Sequence, residues 1–86
     1  RASAAMTTRD DISGWFDRGV AQNALYLIVM CDSFSYEDYP VFAHSDKECR
    51  RACNQPGNMQ RVMEVYNLAQ DKDAQLNEFR ANNGPK

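Results

Sequence analysis

The sequence has no long hydrophobic run. Its longest apolar stretch, ALYLIVMC from Ala24 to Cys31, has eight residues, whereas a helix that crosses a bilayer needs roughly 20. The chain therefore predicts no spanning helix and no membrane partner. A secretory leader pattern is missing too, because Met6 is followed by the acidic and polar TTRDDISGW. The four glycines and three prolines form no repeat or low-complexity tract. Cationic charge is not concentrated. Ten Lys and Arg against twelve Asp and Glu leave a net charge of −2 without a basic stripe, which disfavours nucleic-acid binding. The three cysteines are an odd set outside a secretory context. They read as reduced thiols of a cytoplasmic protein, not as a disulfide framework.

What the 86 residues contain is one small domain. RASAA at residues 1–5 reads as a cloning scar. Residues 6–82 are read as a single domain and residues 83–86 as a frayed tail. A domain of this size buries only about 60–65% of the surface its unfolded chain exposes. Oligomerisation, most simply a homodimer, is the expected source of further burial.

Thr8 and Asp11 stand at helix-start spacing. Ile12, Trp15, Phe16, Gly19 and Val20 follow at helical intervals, which predicts an amphipathic helix. Ala24–Cys31 is β-branched, aromatic and too short for a buried helix, so it predicts a strand covered on both faces. PVFAHS predicts a second strand over about 40–45, with Pro40 at its start on a sheet edge. The two form a hairpin with a loop of about eight residues. Ser45 and Glu48 mark a second helix. Met59, Val62, Met63, Tyr66 and Ala69 fit a third, with Asn58 as its cap. Ala74, Leu76 and Phe79 continue a weaker face beyond a bend at 71–73. The fold class is α+β: a hairpin packed against an N-terminal helix and two or three C-terminal helices.

Four soft ligands invite a zinc reading: Cys31, His44, Cys49 and Cys53. Zinc knuckles use tighter spacing than Cys-x₃-Cys on a helix, so cysteines acting as small apolar residues are preferred. A Cys31–His44 dyad fails on hairpin spacing, since a base must reach its nucleophile. Met59, Met63, Tyr66 and Trp15 read as core, and no cofactor is expected.

The loop CDSFSYEDYP gathers acids, hydroxyls and aromatics. It lacks calcium-loop spacing. Asp32 and Ser33 suit turn chemistry, and Phe34 or Tyr39 can tuck back onto the core. Phe34, Tyr36, Glu37, Asp38 and Tyr39 form the candidate partner-binding set, because aromatics give contact area and acids give orientation toward a basic partner. The segment from Asp32 to Glu48 carries a net charge of −4, against +2 from Cys49 onward. An alternative is an enzyme or small-ligand site at a dimer seam, built from Asp32, Glu37 and His44. A third is nucleic-acid contact through Lys47, Arg50, Arg51 and Arg61, which the net charge disfavours.

CDSFSYEDYPVF followed by NMQRVMEVYNL resembles short hypothetical proteins of bacteria, phages and other mobile elements, over Asp11 to Arg80. The resemblance implies a bacterial or mobile-element origin and carries over no functional residue. By analogy with small proteins of that kind, the expected role is a non-enzymatic regulator or inhibitor that docks on a host or phage protein.

Overall fold

The computed structural model describes residues 7–55, 57, 59–78 and 81–85. The expected scar at 1–5, the expected cap Asn58 and the expected apolar Phe79 lie outside the described residues. The element order is α1 (Arg9–Ala21), β1 (Tyr26–Asp32), β2 (Glu37–Ala43), α2 (Asp46–Asn54), β3 (Gln60–Asn67) and α3 (Lys72–Leu76). The strands form one antiparallel sheet in the order β2-β1-β3. The fold is α+β, as the sequence predicts.

α1 begins at a reciprocal capping box. Thr8 Oγ1 accepts from the Asp11 N–H at 3.1 Å, and Asp11 Oδ2 accepts from the Thr8 N–H at 3.1 Å. Asn23 stops the helix in the left-handed region at φ 61°. The Asn23 N–H donates to Val20 O at 3.0 Å and the Ala24 N–H to Gly19 O at 3.0 Å. These two bonds are a Schellman stop with Asn in the glycine position.

β1 is the centre of the molecule. Leu27 and Val29 face α1, where they pack with Ile12, Phe16, Tyr66, Leu68 and Ala81. Tyr26, Ile28 and Met30 face α2, where they pack with Cys49, Val65 and Ala43. Alternation along the strand sends successive side chains to opposite faces. The eight-residue apolar run is thus the consequence of covering both. Burying Leu27, Ile28 and Val29 is worth about 1.5–3 kcal/mol each. Gly19 brings α1 close to the sheet: a Cβ there would lie 2.7 Å from Leu68 Cδ1 and 3.1 Å from Phe42 Cδ1.

Three sequence expectations change. First, the third helix expected over Met59 to Ala69 is the strand β3. β3 pairs Glu64 with Val29 but Val62 with Met30, leaving Met63 as an extra, bulged residue. The bulge puts Val62 and Val65 on the α2 side and Met63 and Tyr66 on the α1 side. Across one extra residue, positions three apart share a face, so a bulged strand imitates helical spacing. Second, the hairpin loop is short. β2 starts at Glu37, and residues 33–36 alone connect the strands. Third, Pro40 lies inside β2, opposite Val29, and not at its start. β2 is the outer strand, so a residue without an N–H is tolerated there and blunts the open edge.

The outer edge of β3 is met at Val65 by a short parallel bridge from Asn82. The Val65 N–H donates to Ala81 O at 2.9 Å, and the Asn83 N–H donates to Val65 O at 2.9 Å. The segment expected to fray from residue 83 therefore begins at a hydrogen-bonded residue. Among the described residues, no helix is long and apolar enough to cross a membrane.

Candidate functional site

The hairpin tip is built from its backbone outward. Asp32 ends β1 and accepts from the Phe34 N–H at 2.8 Å and the Ser35 N–H at 3.4 Å through Oδ1. This is the Asx turn that its position predicts. The Tyr36 N–H donates to Asp32 O at 2.7 Å, and Tyr36 turns the chain into β2 with φ 59°. The Ser33 N–H donates to Met59 O at 2.6 Å, so the hairpin loop is tied to the loop that precedes β3. Met59 is also left-handed, at φ 61°.

A left-handed conformation costs a residue with a Cβ roughly 1–2 kcal/mol. Asn tolerates it; Tyr and Met do not. A further unfavourable choice sits between them, because Asp32 and Glu37 stand directly opposite each other in the ladder. Like charges in that position repel. The tip therefore holds two bulky residues in a strained backbone and two carboxylates side by side.

Those residues present an apolar surface. Phe34 is 78% exposed, Tyr36 is 70% and Met59 is 49%. Glu37 is exposed beside them. Asp38 and Tyr39, expected in the same loop, are half-buried strand residues. Tyr39 packs on the Met30 and Val62 layer, and burial first, then the nearby Asp32 charge, raises its phenol above the ordinary range. Of the two aromatics expected to tuck back, Tyr39 does and Phe34 does not. Met59 is the residue that the sequence reading missed. Its apparent helical spacing with Met63 and Tyr66 assigned it to the core, and only the bulge reveals that it lies at the tip.

Other candidate groups are dispersed. Cys31 is buried on the α1 side of the sheet, next along from Val29, and its ladder partners are Asp38 and Arg61. Cys49 and Cys53 lie on α2, against the other side. His44 follows Ala43, whose partner is Tyr26, at the far end of the hairpin from Asp32 and Glu37. At about 3.3 Å per residue, that separation is about 20 Å. The Cys31–His44 pairing and the Asp32, Glu37, His44 set therefore do not assemble within one chain. His44 serves α2 instead: its N–H donates to Glu48 Oε1 at 2.8 Å, while the Glu48 N–H donates to the Ser45 Oγ cap at 3.1 Å. Among the described residues, no three His, Cys, Asp or Glu side chains are placed to hold a metal. Lys47, Arg50 and Arg51 lie on α2, whereas Arg61 is on the opposite sheet face beside Cys31.

The end of the sheet away from the tip holds a polar cleft of about 440 Å³, lined by Tyr26, Asp46, Asn67, Gln70, Asn83 and their neighbours. Several of these groups are already engaged. Tyr26 donates its phenolic proton to Asp46 Oδ1 at 2.7 Å, and that bond, with burial, raises the Tyr26 phenol above its ordinary range. Gln75, 3% exposed, accepts from the Asn67 N–H at 2.7 Å and from Asn83 Nδ2 at 3.1 Å. Its own amide donates to Asn67 O at 2.8 Å and Asp71 O at 3.1 Å.

Compared with known proteins, the chain matches no family model, no curated protein and no solved structure. What defines it is its own geometry: a small α+β domain that exposes an aromatic, acidic-flanked hairpin tip.

Proposed function

We propose that the protein is a non-enzymatic interaction module that docks through the hairpin tip. The observation that carries this reading is the joint exposure of Phe34, Tyr36 and Met59 on strained loops that are hydrogen-bonded to each other. Backbone strain persists where the surrounding structure enforces it, and it concentrates at binding sites. Aromatic side chains held in place lose little entropy on binding and make strong anchors. Glu37, with Asp32 and Asp38 behind it, orients a partner that carries basic groups around an apolar pocket. The sequence-level contact set thus narrows to Phe34, Tyr36 and Glu37 and gains Met59. Asp38 and Tyr39 support it from β2.

A regulator or inhibitor of a larger bacterial or phage protein is the role in which a surface of this kind acts. Self-association would use the open edge of β2, where Pro40 withholds one donor. Light scattering at high micromolar concentration measures it: a dimer supports that pairing and a monomer opposes it.

The test of docking is differential capture from the source cells. Wild-type protein, Phe34→Ala and a control altered in the far cleft, Gln70→Ala, serve as baits. A protein retained by wild type and the control but lost by Phe34→Ala supports docking at the tip. Equal capture by all three opposes it.

A further inference from the structure

The sequence motif that the tip does not absorb is the cysteine pair on α2. Cys49 and Cys53 are four residues apart on one helix face, turned toward the Ile28 and Val65 layer. Side chains at that spacing are neighbours on a helix surface. Cys49 is 0% exposed, and burial, with Cys53 beside it, pushes its thiol up to about 12. Cys53 differs. It is only half-buried and lines a groove of about 320 Å³ with Val62, Met63, Glu64 and Asn82. Cys31 is kept from both by the thickness of the sheet. One thiol is thus reachable from solvent, and a second, hidden thiol stands next to it.

We infer that Cys53 and Cys49 form an oxidative modification site, at which a low-molecular-weight disulfide entering the groove converts the two thiols into an intrahelical disulfide. The Cys53 thiolate, its proton released to water, attacks one sulfur of the reagent. A mixed disulfide forms, the reagent's own S–S bond breaks, and its first half leaves as a thiolate that takes up a proton. Cys49 then loses its proton and attacks the Cys53 sulfur, expelling the second half as a thiol. Two protein thiols are oxidised by two electrons, and one small disulfide is reduced to two small thiols. Attack by Cys49 is intramolecular, so its hidden position does not block it once Cys53 carries the adduct.

Helix geometry sets the structural consequence. Side chains four apart on a helix have Cβ atoms about 5–6 Å apart, whereas a disulfide requires about 3.5–4.5 Å. The last turn of α2 must tighten or unwind to close the gap. Cys53 is the penultimate residue of that helix, and the turn ends at Gln55 through a single N–H bond to Arg51 O at 2.9 Å, without a glycine stop. The cost therefore falls on the weakest turn of α2.

The test treats the native protein with oxidised glutathione and reads intact mass and peptide maps. Wild type is expected to lose two hydrogen atoms in mass and to yield a Cys49–Cys53 linked peptide. Cys31→Ala should behave the same way. Cys49→Ala should stop with glutathione attached to Cys53. Cys53→Ala should take up no glutathione at Cys49 while folded. A stable adduct on Cys53 of wild type, a link through Cys31, or oxidation only after unfolding in denaturant would each overturn the inference.

Discussion

The two ends of the sheet spend their side chains differently. At the end near residues 26, 43 and 67, polar groups are consumed internally. Gln75 makes four hydrogen bonds, Tyr26 holds Asp46, Ser45 caps α2, and the left-handed residue is an Asn inside a helix stop. At the tip, polar satisfaction stops at the backbone. Tyr36 and Met59 occupy a conformation unsuited to them, Asp32 faces Glu37, and the apolar side chains point outward. Folding explains most of the first end. It does not explain the second, and that surplus is the physical content of the docking proposal.

The contrast can be broken from the fastened end first. Gln75→Ala leaves the half-buried Asn67 N–H without its partner and takes from the Asn67 C=O one of its two donors, the other being the Gln70 N–H at 3.1 Å, which should cost about 2 kcal/mol in urea unfolding. Capture through the tip should persist below the unfolding transition. A loss under 1 kcal/mol would mean that water replaces the amide freely. Ser45→Ala removes the α2 cap and should cost about 1 kcal/mol; thermal melting measures it.

Titration probes the same end more gently. The Tyr26 and Tyr66 phenols and the Cys49 thiol all have folded pKa values raised above the ordinary values of 10 for a phenol and 9 for a thiol, by the Asp46 bond at Tyr26 and by burial at the other two. Such groups favour the folded state fully below those values and lose that contribution as pH rises past them. Urea midpoints should therefore fall above pH 9, and Tyr26→Phe should make the fall shallower. At the tip the expected effect is smallest: Phe34→Ala should shift stability by less than about 0.5 kcal/mol, measured in the same urea series, because the ring touches solvent.

Much of this architecture is legible in the residues. Thr8 with Asp11 and Ser45 with Glu48 announce both long helices, because capping chemistry is local. The doubly buried β1 follows from composition alone. β3 is illegible for a definite reason: the extra residue at Met63 converts a two-residue alternation into three-residue spacing, and nothing local marks a bulge. The same misreading hid Met59. The tip is half legible. Asp32 states its turn, but which aromatic turns inward depends on strand register. That register begins at Glu37, three residues before the proline that invites a later start.

If docking uses the tip, Tyr36 is held there for contact, against the preference of its own backbone. Tyr36→Gly separates the two quantities in one variant. Glycine accepts φ 59° without strain, so melting temperature should rise by a few degrees, equivalent to roughly 0.5–1 kcal/mol. Capture of the partner that wild type retains should fall at least tenfold. A variant that melts higher and captures equally well, or one that melts lower, would contradict the account.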